Sequence, residues 1–103
     1  MLGESVMTYR NRKLLDLANG APCMACGACD GTIVAAHANW SDFGKGMSHK
    51  ASDAAIAYLC NRCHAEIDQG PKMSKQERRS MWVEAAIKTW IWLVENGKVV
   101  IAS

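Results

Sequence analysis

Apolar and polar positions alternate with different periods along this chain, and the changes of period mark its elements. From about Thr8 to Asn19, Tyr9, Leu14, Leu15, Leu17 and Ala18 form a broken stripe of helical spacing, which Gly20 and Pro22 bring to a stop. Thr32 to His37 is short and β-prone, predicting a strand that ends on His37. Asn39 to Ser52 is polar, with Gly44, Lys45, Gly46, His49 and Lys50, and is too long for a tight hairpin turn. The second half of Asp53–Leu59 reads as a strand running into Cys60. A helix from about Asn61 is closed by Gly70-Pro71. Ser74 and Glu77 then form a capping box that opens a long helix to about Asn96, before Gly97. Its broad apolar face (Met81, Trp82, Ala85, Ala86, Thr89, Trp90, Leu93, Val94) suits it to cover a small sheet. On that face Trp82, Trp90 and Trp92 read as core rather than as a base-stacking platform. Val99 to Ile101 predicts a short edge strand, and residues 1–7 carry no pattern.

These elements fit one domain in 103 residues. A core of this size is modest and gains from a metal staple. The sequence contains five cysteines in two clusters. Cys60 and Cys63 form one C-x-x-C pair. In the other cluster Cys23, Cys26 and Cys29 offer two such pairs in succession, and spacing alone does not choose between them. Two clusters of this kind beside turn- or helix-forming sequence signal a structural zinc site. The odd count fits four ligands and a spare better than a disulfide framework. A redox C-x-x-C would need a thioredoxin-like βαβ setting, and the pattern lacks one. The sequence shows neither an eighteen-residue apolar run nor a signal-peptide pattern, which predicts a cytoplasmic chain with no membrane partner.

The formal charge of +2 falls to about zero once four thiolates bind zinc, so net charge says little about a nucleic-acid partner. Local clusters say more: Arg10, Arg12 and Lys13; Lys45 and Lys50; Lys72, Lys75, Arg78 and Arg79. His64 directly follows Cys63, and Asp68 lies four residues later, so on a helix the two share a face with Cβ atoms about 6 Å apart. That spacing can grip a second metal. The plainer readings are His37 as a structural residue, His64 as a zinc ligand, Asp68 as a solvated side chain, His49 as a loop residue and Asp53 as a turn residue or N-cap.

The run Cys60-Asn-Arg-Cys63-His64-x-x-x-Asp68 is similar to the start of the metal-binding helix in HNH-type (His-Me finger) nucleases. With Cys23, Cys29-Asp30-Gly31, Ala36-His37, Gly46, Lys50 and Asp53, it resembles more closely the small prophage-encoded family of YbcO-like nucleases, over Gly20 to Asp68, about half the chain. The resemblance implies an α+β fold, a zinc-braced ββα-metal domain over 23–68, flanked by a helix at 8–19 and a covering helix at 74–96. It also implies metal-dependent endonuclease activity on phosphodiester bonds, with DNA as substrate. Cys23, Cys29, Cys60 and Cys63 would hold zinc, with Cys26 the alternative to Cys29. His37 would be the general base, and His64 with Asp68 would hold a catalytic Mg²⁺ or Mn²⁺, though a histidine ligand also admits Zn²⁺ or Ni²⁺. Lys45 and Lys50 would contact substrate phosphates, and the partners implied are phage recombination or DNA-processing proteins. At Ala36 the pattern departs from the Asp or His found in many such enzymes. Asp53 is a candidate for the missing ligand, and equally for the group that orients His37. The competing reading is a non-catalytic zinc-ribbon module that binds nucleic acid or a phage or host protein. A redox or zinc-storage role is a third.

Overall fold

The computed structural model describes residues 9–46 and 51–102. His49, Lys50 and residues 1–7 lie outside the described residues, so the expectations placed on them have no structural counterpart here. Two antiparallel strands carry three helices in the order α1 (Arg12–Asp16), β1 (Val34–His37), β2 (Ile56–Leu59), α2 (Asn61–Gln69) and α3 (Lys75–Glu95). The expected α+β content, with a β-β-α order through the cysteine-rich region, is present.

The register pairs Val34 with Leu59, Ala35 with Tyr58, Ala36 with Ala57 and His37 with Ile56. All four β2 residues are buried, because α3 lies along the strand and α1 closes the far end. Tyr58 shows the consequence. Its hydroxyl donates to the Leu14 carbonyl in α1, and its backbone N–H donates to Thr89 Oγ1 at 3.0 Å. Thr89 Oγ1 in turn donates to Ala85 O at 2.7 Å. Buried polar groups are thereby satisfied at the centre of the core. The tryptophans serve packing, as their spacing suggests. Trp82 is buried and donates to Ala36 O at 3.0 Å, Trp90 donates to Ala54 O at 3.0 Å, and Trp92 meets Tyr58 edge-on.

The long helix follows its sequence signals. Ser74 and Glu77 exchange both hydrogen bonds of the capping box, and Gly97 takes a positive φ of 68° beyond the last turn. α2 ends at Gly70, where a Cβ would run into the Glu66 carbonyl and backbone, so glycine is the residue that fits there. Three expectations differ. The first helix begins at Arg12 rather than Thr8 and gives way to a 3₁₀ turn over Leu17–Gly20. Asn11 caps it, and the Asn11 N–H is drawn to Asp53 Oδ2 at 2.7 Å, which holds residues 9–11 out of the helix. β1 begins at Val34 rather than Thr32, because Asp30 captures Thr32 in a side-chain turn through its N–H (2.9 Å) and hydroxyl (2.6 Å). Val99–Ile101 forms no strand, and Val100 and Ile101 are largely exposed.

Candidate functional site

Two turns converge on the start of α2. The first is the Cys23–Cys26 knuckle. Gly27 N–H bonds back to Cys23 O at 2.8 Å, and Cys23 N–H bonds to Ala28 O at 2.8 Å. This reversal requires the left-handed backbone of Gly27, φ 81°. The second is Cys60, the N-cap residue of α2, with Cys63 in the helix's first turn. The sulfurs of Cys23, Cys26, Cys60 and Cys63 all lie within 4.8 Å of one another, and Cys26 Sγ is 3.7 Å from Cys60 Sγ. A tetrahedral ZnS₄ centre has sulfur–sulfur edges of about 3.8 Å. The donor set therefore fits a closed structural zinc site.

Here the sequence reading is corrected: Cys26, not Cys29, completes the cluster. Cys29 lies beyond the Gly27 reversal, exposed, with its sulfur 3.9 Å from Gly27 O. His64 is also absent from the cluster.

The thiols are strongly polarised. Burial would raise Cys23, but backbone N–H groups of Cys60, Cys26 and Ala25 aim at its sulfur and bring it down to about 6. Burial and the neighbouring sulfurs push Cys63 far up, and burial raises Cys60. Four thiols this close do not all ionise unaided, and a bound dication is the charge that would let them. Arg62, which the sequence did not single out, interacts with the Cys26 sulfur, and this contact raises the guanidinium above its usual value.

One residue past Cys63 the chemistry changes. His64 and Asp68 face each other across one helical turn, Nε2 to Oδ2 3.1 Å, both partly exposed. Two bonds of about 2.1 Å meeting at a right angle would place their donor atoms about 3 Å apart, so this pair fits as neighbouring ligands of one divalent ion. Across from them His37, at the end of β1, lines the same cavity of about 270 Å³, together with Ala35, Ala38, Asn39, Lys45 and Ala51. Pleating puts Ala35 and His37 on this side, while Ala36 is buried. Position 36 is therefore outside the cavity wall.

Asp53 takes one of its two expected roles. Its Oδ1 bonds His37 Nε2 at 2.7 Å and Arg10 Nη1 at 3.1 Å, and its Oδ2 accepts the Asn11 N–H at 2.7 Å. Both oxygens are engaged, the residue is buried, and it does not line the cavity. These bonds make it His37's partner. Burial would raise its pKa, but the His37 hydrogen bond, the Asn11 amide, the His37 charge and Arg10 together hold the carboxyl below its usual value. Asn39, two residues beyond His37 and in the cavity wall, escaped the sequence reading. Its signal would have been its place just after the strand-end histidine.

No protein-family pattern and no curated protein sequence matches the chain. The fold nonetheless has a solved counterpart. A structure from Escherichia coli str. K-12 substr. MG1655, described as a "putative bacteriophage protein", superposes with a TM-score of 0.58 over 81% of this chain and 98% of that one, at 24% identity. The likeness shows a shared fold. No described helix is long and apolar enough to cross a membrane.

Proposed function

We propose that this protein is a metal-dependent endonuclease of the HNH, or His-Me finger, type that hydrolyses phosphodiester bonds, with DNA as substrate. The observation that supports this reading best is that His37, paired with buried Asp53, shares a cavity with His64 and Asp68. The Asp53 carboxylate accepts a hydrogen bond from His37 Nε2–H, which fixes the tautomer and leaves Nδ1 as the basic nitrogen. His37 would take a proton from the attacking water through Nδ1. Asp53 would hold the ring in place and stabilise the imidazolium that results. Asn39 and Lys45 would steady the phosphate oxygens. A divalent ion held by His64 and Asp68, Mg²⁺ or Mn²⁺, would supply Lewis-acid stabilisation of the developing charge and leaving oxygen. The zinc cluster would set the position of α2, and with it the position of that pair.

A plasmid-nicking assay with Mg²⁺ or Mn²⁺ tests the reading. Cleavage is expected, and His37→Ala should slow it by about 10²- to 10⁴-fold. Cleavage indifferent to that substitution would remove His37 from the chemistry. The solved counterpart's phage description supports a prophage setting; recombination or DNA-processing proteins as partners belong to the proposal alone. The second reading, a zinc module that binds nucleic acid or a phage or host protein without cutting, draws on a separate observation. Among the described residues, the cysteines form the one cluster of three or more metal-ligating groups. Absence of cleavage with every metal and DNA form would favour it.

A further inference from the structure

The cavity that holds His37 and His64 has a neighbour. A second hollow of about 310 Å³ is lined by Asn39, Trp40, Ile67, Asp68, Lys75 and Arg78. Asn39 and Asp68 stand in the walls of both, so the two form one trough between the end of β1, α2 and the start of α3. Its fixed charges are lopsided. Lys45 lines the first hollow and Lys75 and Arg78 the second, against one carboxylate, Asp68, which faces His64. The nearby Asp42 is held by Arg79 through two hydrogen bonds of 3.1 and 2.6 Å and takes no part in the lining.

Arg78 is built into this wall. Its Nη1 donates to the Asp68 carbonyl at 3.2 Å, bridging α3 to α2. Its Nε is buried with no hydrogen-bond partner. Lys75 lies three residues earlier on the same helix face. A guanidinium anchored on the Asp68 carbonyl, an ammonium on the same helix face and the Asn39 side chain in the shared wall make a receptor for a tetrahedral oxyanion.

We infer that this second hollow is a binding subsite for a nucleic-acid phosphate flanking the one presented to His37. The nature of the strand rests on the endonuclease reading. Arg78 forks onto the phosphate oxygens, Lys75 neutralises them as a point charge, and Asn39 donates from between the two hollows. A strand lying in the trough therefore runs from Lys45 past His37 to Lys75 and Arg78, along one line fixed by the fold.

The test uses the full zinc-loaded chain carrying His37→Ala, so that binding is read without cutting. Fluorescein-labelled DNA, single-stranded and duplex, is titrated by anisotropy across a salt series. Adding Lys75→Ala and Arg78→Ala should reduce the slope of log affinity against log salt by about 2 and weaken binding at low salt roughly tenfold or more. Lys98→Ala, which lies in a different hollow with Tyr9 and Trp90, should leave the slope unchanged. Because Arg78 joins two helices, Arg78→Lys is measured as well. It keeps the charge, and should weaken binding while leaving the slope near its starting value. A double variant with unaltered melting temperature and unaltered slope would overturn the subsite, as would failure of either DNA form to bind at low salt. Salt-dependent binding that needs Lys75 and Arg78, in a wild-type chain that never nicks DNA, would uphold the subsite and defeat the endonuclease reading alone.

Discussion

The two ends of the first turn of α2 make opposite uses of neighbouring residues. Cys60 and Cys63 are buried and join two further sulfurs in a group with room for one ion. His64 and Asp68 are partly exposed, offer two donors, and open onto a cavity. A closed set of four donors leaves nowhere for a reactant, whereas two donors with free positions do. On the proposed reading, the contrast separates what would hold this fold in shape from what would be available for chemistry, across a single peptide bond.

The largest expected effect lies on the closed side. Cys26→Ser should abolish stoichiometric zinc and unfold the chain at ordinary temperature, because structural zinc contributes on the order of 10 kcal/mol to folding in small domains. Cys29→Ser should leave both zinc content and the thermal melt unchanged. Metal analysis alongside circular dichroism reads both, and equal effects from the two substitutions would erase the distinction drawn here between knuckle and spare thiol. On the open side the order reverses. His64→Ala and Asp68→Ala should abolish metal-stimulated nicking with little change in melting temperature or zinc content.

Between these extremes sits the core that carries both. Thr89→Val keeps the volume but removes the acceptor for the Tyr58 N–H, and should cost about 1–3 kcal/mol in a urea melt. It should not change the number of zinc ions bound. The smallest effect is a pH effect at Asp53. Its carboxyl is held below its usual value in the folded chain, so its contribution to stability is complete above the unfolded value, near 4, and is lost as pH falls through the lower folded value. Asp53→Asn should therefore flatten the acid limb of the stability profile below about pH 4. A limb as steep as wild type would mean that the carboxylate is not favoured by its neighbours.

Local signals made much of this legible. The capping box at Ser74 and Glu77, the stops at Gly70 and Gly97, and the strand ending at His37 are decided by residues close in sequence, and the fold follows them. Cys26 and Cys29 were indistinguishable because both stand in C-x-x-C spacing. The backbone reversal at Gly27 separates them, and spacing does not record a dihedral angle. Asp53 was ambiguous for a different reason. Its partners Arg10, Asn11 and His37 come from two distant segments that meet only when α1 packs beside the sheet. Val99–Ile101 has strand composition without a neighbouring strand to pair with, and composition alone forms no ladder. The trough was hidden because Asn39, Asp68 and Arg78 belong to three elements, and the basic cluster on α3 looked like any solvated helix face.

Thr32 offers a last consequence. Its hydroxyl accepts the N–H of Asn61 at 2.9 Å while donating to Asp30, so the segment returning from the knuckle is latched to the helix that carries His64. Exchanging zinc for the wider cadmium ion would swell the sulfur cage and press on this latch. The histidine would then be displaced by an ion it never touches, and the identity of the cage metal would set the tempo of any reaction beside it.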